Sequence, residues 1–322
     1  MDYLFLAAAC FFFSIQFIFS KFFERRSDGS YSAGLWCSLA NALCMLLYLF
    51  PKCGFRMTFS SSAIICALLY AVSMVACTGF SILALHCGKL AIVTAYTLLG
   101  GLVLPFFWGI IVYHEPLTLL KGIGVVILIL SMVSGLLFDA WQKRKNGTKK
   151  NGVQEQKKEE KGTSPLIFHG LCLILFLANG IVSIATTASQ KAADAISSDD
   201  FLLLCQVGIA VFSLLFMLIH AIREKSLRRV FVEISSKPPM TGVNFLLLFV
   251  FCALHSICNG IGNICSLNCA QIMDASIQFP VIAAVVIVMG AVLGRIFFGE
   301  KIGKRDSIGL ILAALGIVFF II

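Results

Sequence analysis

VYHEPLTLLKGIGVVILIL, residues 112–130, and FFGEKIGKRDSIGLILAAL, residues 297–315, follow one pattern. Each is a tight turn carrying a glutamate, followed by an apolar run with a glycine set into it. Glu115 aligns with Glu300 and Gly124 with Gly309, both at a separation of 185 residues. A weaker echo lies upstream, where ANALCMLLYL (residues 40–49) stands to Lys21 as AVFSLLFMLI (residues 210–219) stands to Lys191. A repeat at this spacing divides the chain into two related halves.

Working outward, apolar runs long enough to cross a bilayer, about 20 residues each, cover both halves. The first half holds Tyr3–Ser20, Tyr31–Phe50, Ser61–Leu85, Leu90–Tyr113 and Leu117–Phe138; the second holds Pro165–Ser189, Phe201–Ala221, Val243–Leu267, Ala275–Phe298 and Ser307–Ile322. Membrane strands would alternate in polarity over about ten residues, and these runs do not. Between the halves, Asp139–Ser164 contains KKNGVQEQKKEEKGTS and reads as a polar linker. The expected fold is an all-α membrane protein of ten transmembrane helices in a 5+5 arrangement: residues 1–138, a basic linker 139–164, and residues 165–322. The first run lacks a basic leader and a small-residue cleavage site, so it reads as a retained helix.

Composition agrees. Of 322 residues, 59% are hydrophobic and 13% charged, against about half and a quarter in soluble domains. The net charge of +9 does not indicate nucleic acid, because the basic residues sit beside apolar spans. All of the 25 Lys and Arg except Lys52, Arg56, Lys121 and Lys191 fall in odd-numbered loops or the linker. Basic loops stay cytoplasmic, so the linker is expected in the cytoplasm of a multi-pass cell-membrane protein, with both termini outside. The 13 cysteines include no CxxC pair and lie mostly within spans; they read as small apolar residues, and neither a metal nor a cofactor is indicated.

An odd number of spans per half makes the second half enter the membrane from the opposite side. Such inverted repeats build one site between two halves in many secondary transporters. These features resemble the drug/metabolite transporter superfamily, specifically its EamA-like branch. The residues that carry the resemblance are Glu115 and Gly124, then Pro280, Gly299–Glu300, Gly309 and Gly316. It implies a ten-helix transporter with a central cavity for small metabolites, often amino acids or cationic and aromatic compounds. Two departures stand out. Many relatives keep their termini in the cytoplasm, and relatives of the small multidrug resistance type carry a mid-membrane glutamate that couples protons to cations. No span here has an acidic residue at its middle.

Polar residues inside spans are the candidates for a substrate site. His255, Asn259 and Asn263 recur every four residues and share one helix face, beside Gly260 and Gly262. They read either as a ligand-facing stripe or as a hydrogen-bonded seam between helices. Gln16 and Asn179 sit on repeat-equivalent spans; Tyr96 and Gln278 complete the substrate-binding set, with Asn41, Gln206 and Thr94 as further polar positions. His255 is the one histidine placed well inside a span, and it could couple transport to protons. Pro105 and Pro280 interrupt their spans and either bend the helix around a cavity or only adjust packing. Glu115 and Glu300 read as structural, on opposite faces at helix starts, and Lys21 and Lys191 read as snorkelling to the interface.

The sequence supports a secondary transporter of an amino acid, amine or related compound, working by alternating access. Alternatives are a lipid-linked sugar flippase or a non-transporting membrane subunit of a complex. No clustered catalytic set suggests an enzyme. The expected partners are the bilayer and a small-molecule substrate, with the chain a monomer or homodimer.

Overall fold

The computed structural model describes residues 2–114, 118–120, 122–131, 134, 165–223, 242–270, 275–301 and 303–321. The linker, Glu115 and the side chain of Gln278 lie outside the described residues. Every element among the described residues is a helix: α1 (Asp2–Arg26), α2 (Tyr31–Lys52), α3 (Ser61–Cys87), α4 (Leu90–Tyr113), α5 (Gly122–Ser131), α6 (Pro165–Lys191), α7 (Ser198–Arg223), α8 (Gly242–Ala270), α9 (Ala275–Phe298) and α10 (Lys304–Ile321). Eight of them are long and apolar enough to cross a membrane; the described parts of α5 and α10 are shorter.

Local chemistry starts the helices. Ser30 and Ser60 accept from the backbone N–H of Ala33 and Ala63, each at 3.2 Å, and so cap α2 and α3. Ser197 accepts from Asp200 N–H at 3.1 Å to cap α7. The helices then sort their side chains as a membrane requires. On α3, Ile64, Ile65, Leu68, Leu69 and Val72 are exposed along one outer face, while Ala63, Ala67 and Ala71 face inward. Apolar surface turned outward and small residues turned inward is the arrangement of helices that pack within lipid.

The two halves interlock. The most extensive pairings run between them: α1 with α8, α3 with α6, α4 with α6, and α2 with α7. One apolar core draws Phe17 from α1, Cys77 from α3, Val93 and Tyr96 from α4, Leu175 from α6 and Val286 from α9. Close approach depends on glycine. A methyl group on Gly100 of α4 would lie 2.0 Å from the Phe176 carbonyl oxygen of α6, and one on Gly34 of α2 would lie 2.5 Å from the Gly79 Cα of α3. Gly316 of α10 serves the same end, since a methyl on it would meet Leu128 and the Gly124 carbonyl of α5. Ser131 Oγ donates to Gly309 O at 2.9 Å across that seam.

The loops divide between two ends of the bundle. At one end, called the odd end after the loops it gathers, Phe168 at the start of α6 abuts Gly88. There Arg26 donates to Asn244 at the start of α8 at 3.3 Å, and Lys89 pairs with Asp306. At the even end, Lys52 of α2 pairs with Asp199 of α7 at 2.7 Å. Ser62, through its hydroxyl and N–H, donates to Asp194, and these bonds hold the exposed Asp194 carboxyl below its ordinary value.

Three expectations change. First, α1 does not stop at Ser20 but runs to Arg26, because Phe23 is fully buried and Lys21 pairs with Glu24 one turn on at 3.4 Å. Second, Lys21 does not snorkel. It is buried, and its ammonium donates to the carbonyls of Leu85 and Gly88 at the end of α3, where a cation also meets the negative end of the helix dipole. Third, Glu300 does serve a helix start, but that of α4 rather than α10. Leu90 N–H donates to both of its carboxylate oxygens, at 3.1 and 2.9 Å. The turn that aims it there contains Gly299 at φ +65°, a conformation suited to glycine. Lys89, which precedes α4, provides no side-chain cap of its own. Glu300→Ala should therefore destabilise the protein by about 1–2 kcal/mol, read as a lower melting temperature in detergent, with Glu300→Asp recovering little because it is one methylene too short.

Candidate functional site

The polar candidates assemble in two places. The first lies where α1 packs on α8. His255 Nδ1 is 3.0 Å from the Gln16 carbonyl oxygen and 2.9 Å from Ser20 Oγ. One ring nitrogen thus faces two oxygens, and the Gln16 carbonyl can only accept. A proton on Nδ1 satisfies the carbonyl. The Gln16 side chain adds an amide oxygen that is buried and has no partner among the described residues. A buried acceptor without a donor is costly.

The second place lies where α4 packs on α6. Tyr96 Oη is 3.0 Å from His169 Nδ1, with both residues buried. Asn179 Nδ2 donates to the Thr97 carbonyl at 2.8 Å and touches the position of Gly101. Thr97 Oγ1 donates to Val93 O and Thr94 Oγ1 to Ala91 O. Both places border the shared apolar core, which contains Phe17 and Tyr96.

The sequence-derived set is therefore only partly brought together. Gln16 meets His255, and Tyr96 and Asn179 sit on adjoining turns of α4 and α6. Asn259 and Asn263 bond to each other along α8: Asn263 Nδ2 donates to Asn259 O at 2.9 Å and to its Oδ1 at 3.0 Å. His255 is half-buried and not the only histidine inside a span, because His169, four residues inside α6, is buried. Its position beside the linker made it look like a flank; only the pairing of α6 with α4 shows it facing Tyr96. Glu24 was likewise hidden in what read as a loop. It is buried, and its Oε1 lies 2.7 Å from His86 Nδ1. Further amide oxygens without a partner among the described residues belong to Asn41 of α2 and Gln206 of α7. These helices pack together, with Ser213 Oγ donating to Ser38 Oγ at 3.1 Å. Cys37 and Cys252 meet at 3.2 Å between α2 and α8.

Residues 169–322 match the model of the EamA-like transporter family. That stretch, nearly half of the chain, is similar to that family. The EamA-like half spans α6 to α10 and includes His169, Asn179, His255 and Glu300 from the sites just described. The match indicates a membrane protein of transporter type, and the eight helices long and apolar enough to cross a membrane agree with a multi-pass chain. No curated protein matches the sequence. One solved structure, described only as the crystal structure of a protein, aligns over 99% of this chain and 96% of its own, with 13% identity and a TM-score of 0.49.

Proposed function

We propose that this protein is a secondary transporter of a small metabolite carrying hydrogen-bond donors, an amino acid or amine, and that its two five-helix halves form an inverted-topology repeat. The observation that carries the reading is the crossed pairing of the halves. If α1 corresponds to α6 and α3 to α8, the pairing of α1 with α8 becomes that of α6 with α3, and both are among the most extensive in the fold. The pairings of α2 with α7 and α4 with α9 map onto themselves. α1 ends where α6 begins, at the odd end, so the equivalent helices run in opposite directions. This supports alternating access, in which one half rocks against the other about a site near the midplane.

The site residues proposed for substrate are Gln16 and His255 on one side of the core and Tyr96 with Asn179 on the other; Asn259, Asn263 and Gln278 stay as secondary positions on α8 and α9. The Gln16 amide oxygen favours a ligand with N–H donors, and Phe13, Phe17 and Tyr96 around the core favour one with an apolar or delocalised body. The orientation follows from charge: the odd end, with the linker, faces the cytoplasm.

A thermal-shift screen of the purified protein against amino acids, amines, nucleobases and quaternary ammonium compounds tests the site. A ligand at 100 times its Kd stabilises the fold by about 2.7 kcal/mol, and Gln16→Leu should abolish the shift. A ligand shift that is unchanged in Gln16→Leu and Tyr96→Phe would move the site elsewhere. Proton coupling through His255 has its own test: His255→Gln should flatten the pH profile of flux, and an unaltered profile rejects that role.

A further inference from the structure

Each end of the bundle carries a cation seated on an aromatic ring at the tip of a helix from the other half. At the odd end, the Arg25 guanidinium, in the last turn of α1, lies 4.7 Å from the ring centroid of Phe298, the final residue of α9. Arg25 Nη2 also donates to the Phe298 carbonyl at 3.1 Å. At the even end, Lys191 Nζ, on the final residue of α6, lies 4.0 Å from the ring centroid of Tyr113, the final residue of α4.

The two contacts are equivalent under the repeat. Tyr113 and Phe298 stand 185 residues apart, the separation already set by Glu115 with Glu300 and Gly124 with Gly309. The cations close the last turns of α1 and α6, which are themselves repeat-equivalent. Lys21, the sequence counterpart of Lys191, is held instead by α3 and Glu24. Arg25, one turn further along, takes the latch position at its end. Both cations are exposed, while Phe298 is buried and Tyr113 half-buried. An exposed cation–π contact is weak enough to break in every cycle, and each one joins helices from different halves.

We infer that Arg25–Phe298 and Lys191–Tyr113 are a matched pair of gate latches, one for each face of the membrane. Both are closed in this structure, which is therefore an occluded state. Opening toward the odd end breaks the first latch and keeps the second; opening toward the even end does the reverse. The inference rests on the alternating-access reading and adds the residues that gate it.

Native cysteines report the two openings. Cys172 lies in the first third of α6, near the odd end, and Cys10 in the first half of α1, nearer the even end; both are buried in the shared core. The full chain in lipid nanodiscs, with both faces open to a sulfonated maleimide, is labelled over time and the modified peptides are quantified by mass spectrometry. Arg25→Gln and Phe298→Leu should each raise the labelling rate of Cys172 about three- to fivefold and leave Cys10 unchanged, the shift in open fraction expected from losing one exposed cation–π contact. Lys191→Gln and Tyr113→Leu should do the reverse, while Arg25→Lys keeps a cation and stays near the parent rate. Equal acceleration at both cysteines, or none at either, overturns the latches. If one variant unfolds, seen as labelling of the fully buried Cys205, its partner substitution on the same latch decides. The readout needs no substrate. Flux with unaltered labelling rejects the latches but keeps transport, and end-specific labelling without flux of any compound does the opposite.

Discussion

Gly100→Val should leave little or no folded protein. The methyl built at Gly100 falls 2.0 Å from the Phe176 carbonyl oxygen, 2.6 Å from its carbon and 2.7 Å from its Cα. These are backbone atoms of a packed helix, and no rotamer change can clear them. α4 and α6 must move apart along one of the most extensive contacts between the halves. Overpacking a core typically costs 1–3 kcal/mol, and a clash against backbone belongs at or above the upper end. Set against a total stability of about 5–15 kcal/mol, such a loss removes most of the folded population during extraction. Gly101→Ala is the internal control. The atoms nearest its methyl belong to the side chains of Asn179 and Ser183, which can turn away at the cost of the Asn179–Thr97 bond, about 1 kcal/mol. Size-exclusion profiles and melting temperatures of the two variants should separate clearly; equal behaviour would mean that α4 and α6 do not pack as described.

Lys21→Met should be the most damaging single change at the odd end. Lys21 and Glu24 are 7% and 6% exposed. Removing the ammonium leaves a buried carboxylate with His86 as its partner, and leaves the Leu85 and Gly88 carbonyls without their donor. Breaking a buried pair from one side typically costs about 3–5 kcal/mol. Replacing both members is far milder, because the desolvation of each charge disappears with the charge. Lys21→Met combined with Glu24→Met should therefore recover much of the melting temperature lost by Lys21→Met alone. A double variant that loses the full sum of the two single effects would show that Lys21 and Glu24 do not interact.

Much of this architecture was legible in the sequence. The apolar runs located every described helix, and two glycines singled out by their 185-residue offset, Gly124 and Gly309, prove to line the α5–α10 seam. The helix ends were less legible. A membrane helix is apolar nearly all round, so charge becomes the signal for a loop, and Lys21 and Glu24 were read out of α1 although they pair within its last turns. The same limit hid His169, which sits beside the charged linker but is turned inward onto Tyr96. Periodicity did place His255, Asn259 and Asn263 on one face. It could not show that the two asparagines bond to each other while His255 reaches across to α1, since partner choice depends on how helices cross. Nor could it pair Glu300 with Leu90, 210 positions apart, because that cap depends on the packing of one half against the other.

The central claim is that two interlocked halves carry a small metabolite across the membrane. Purified protein reconstituted into liposomes preloaded with a mixture of unlabelled amino acids and amines, and then offered each compound in radiolabelled form, tests it most directly. The account predicts counterflow of at least one compound well above protein-free liposomes, lost in Gln16→Leu while the variant keeps its melting temperature. Folded protein that supports no counterflow of any compound in the panel, or counterflow indifferent to Gln16, His255, Tyr96 and Asn179 alike, would contradict it.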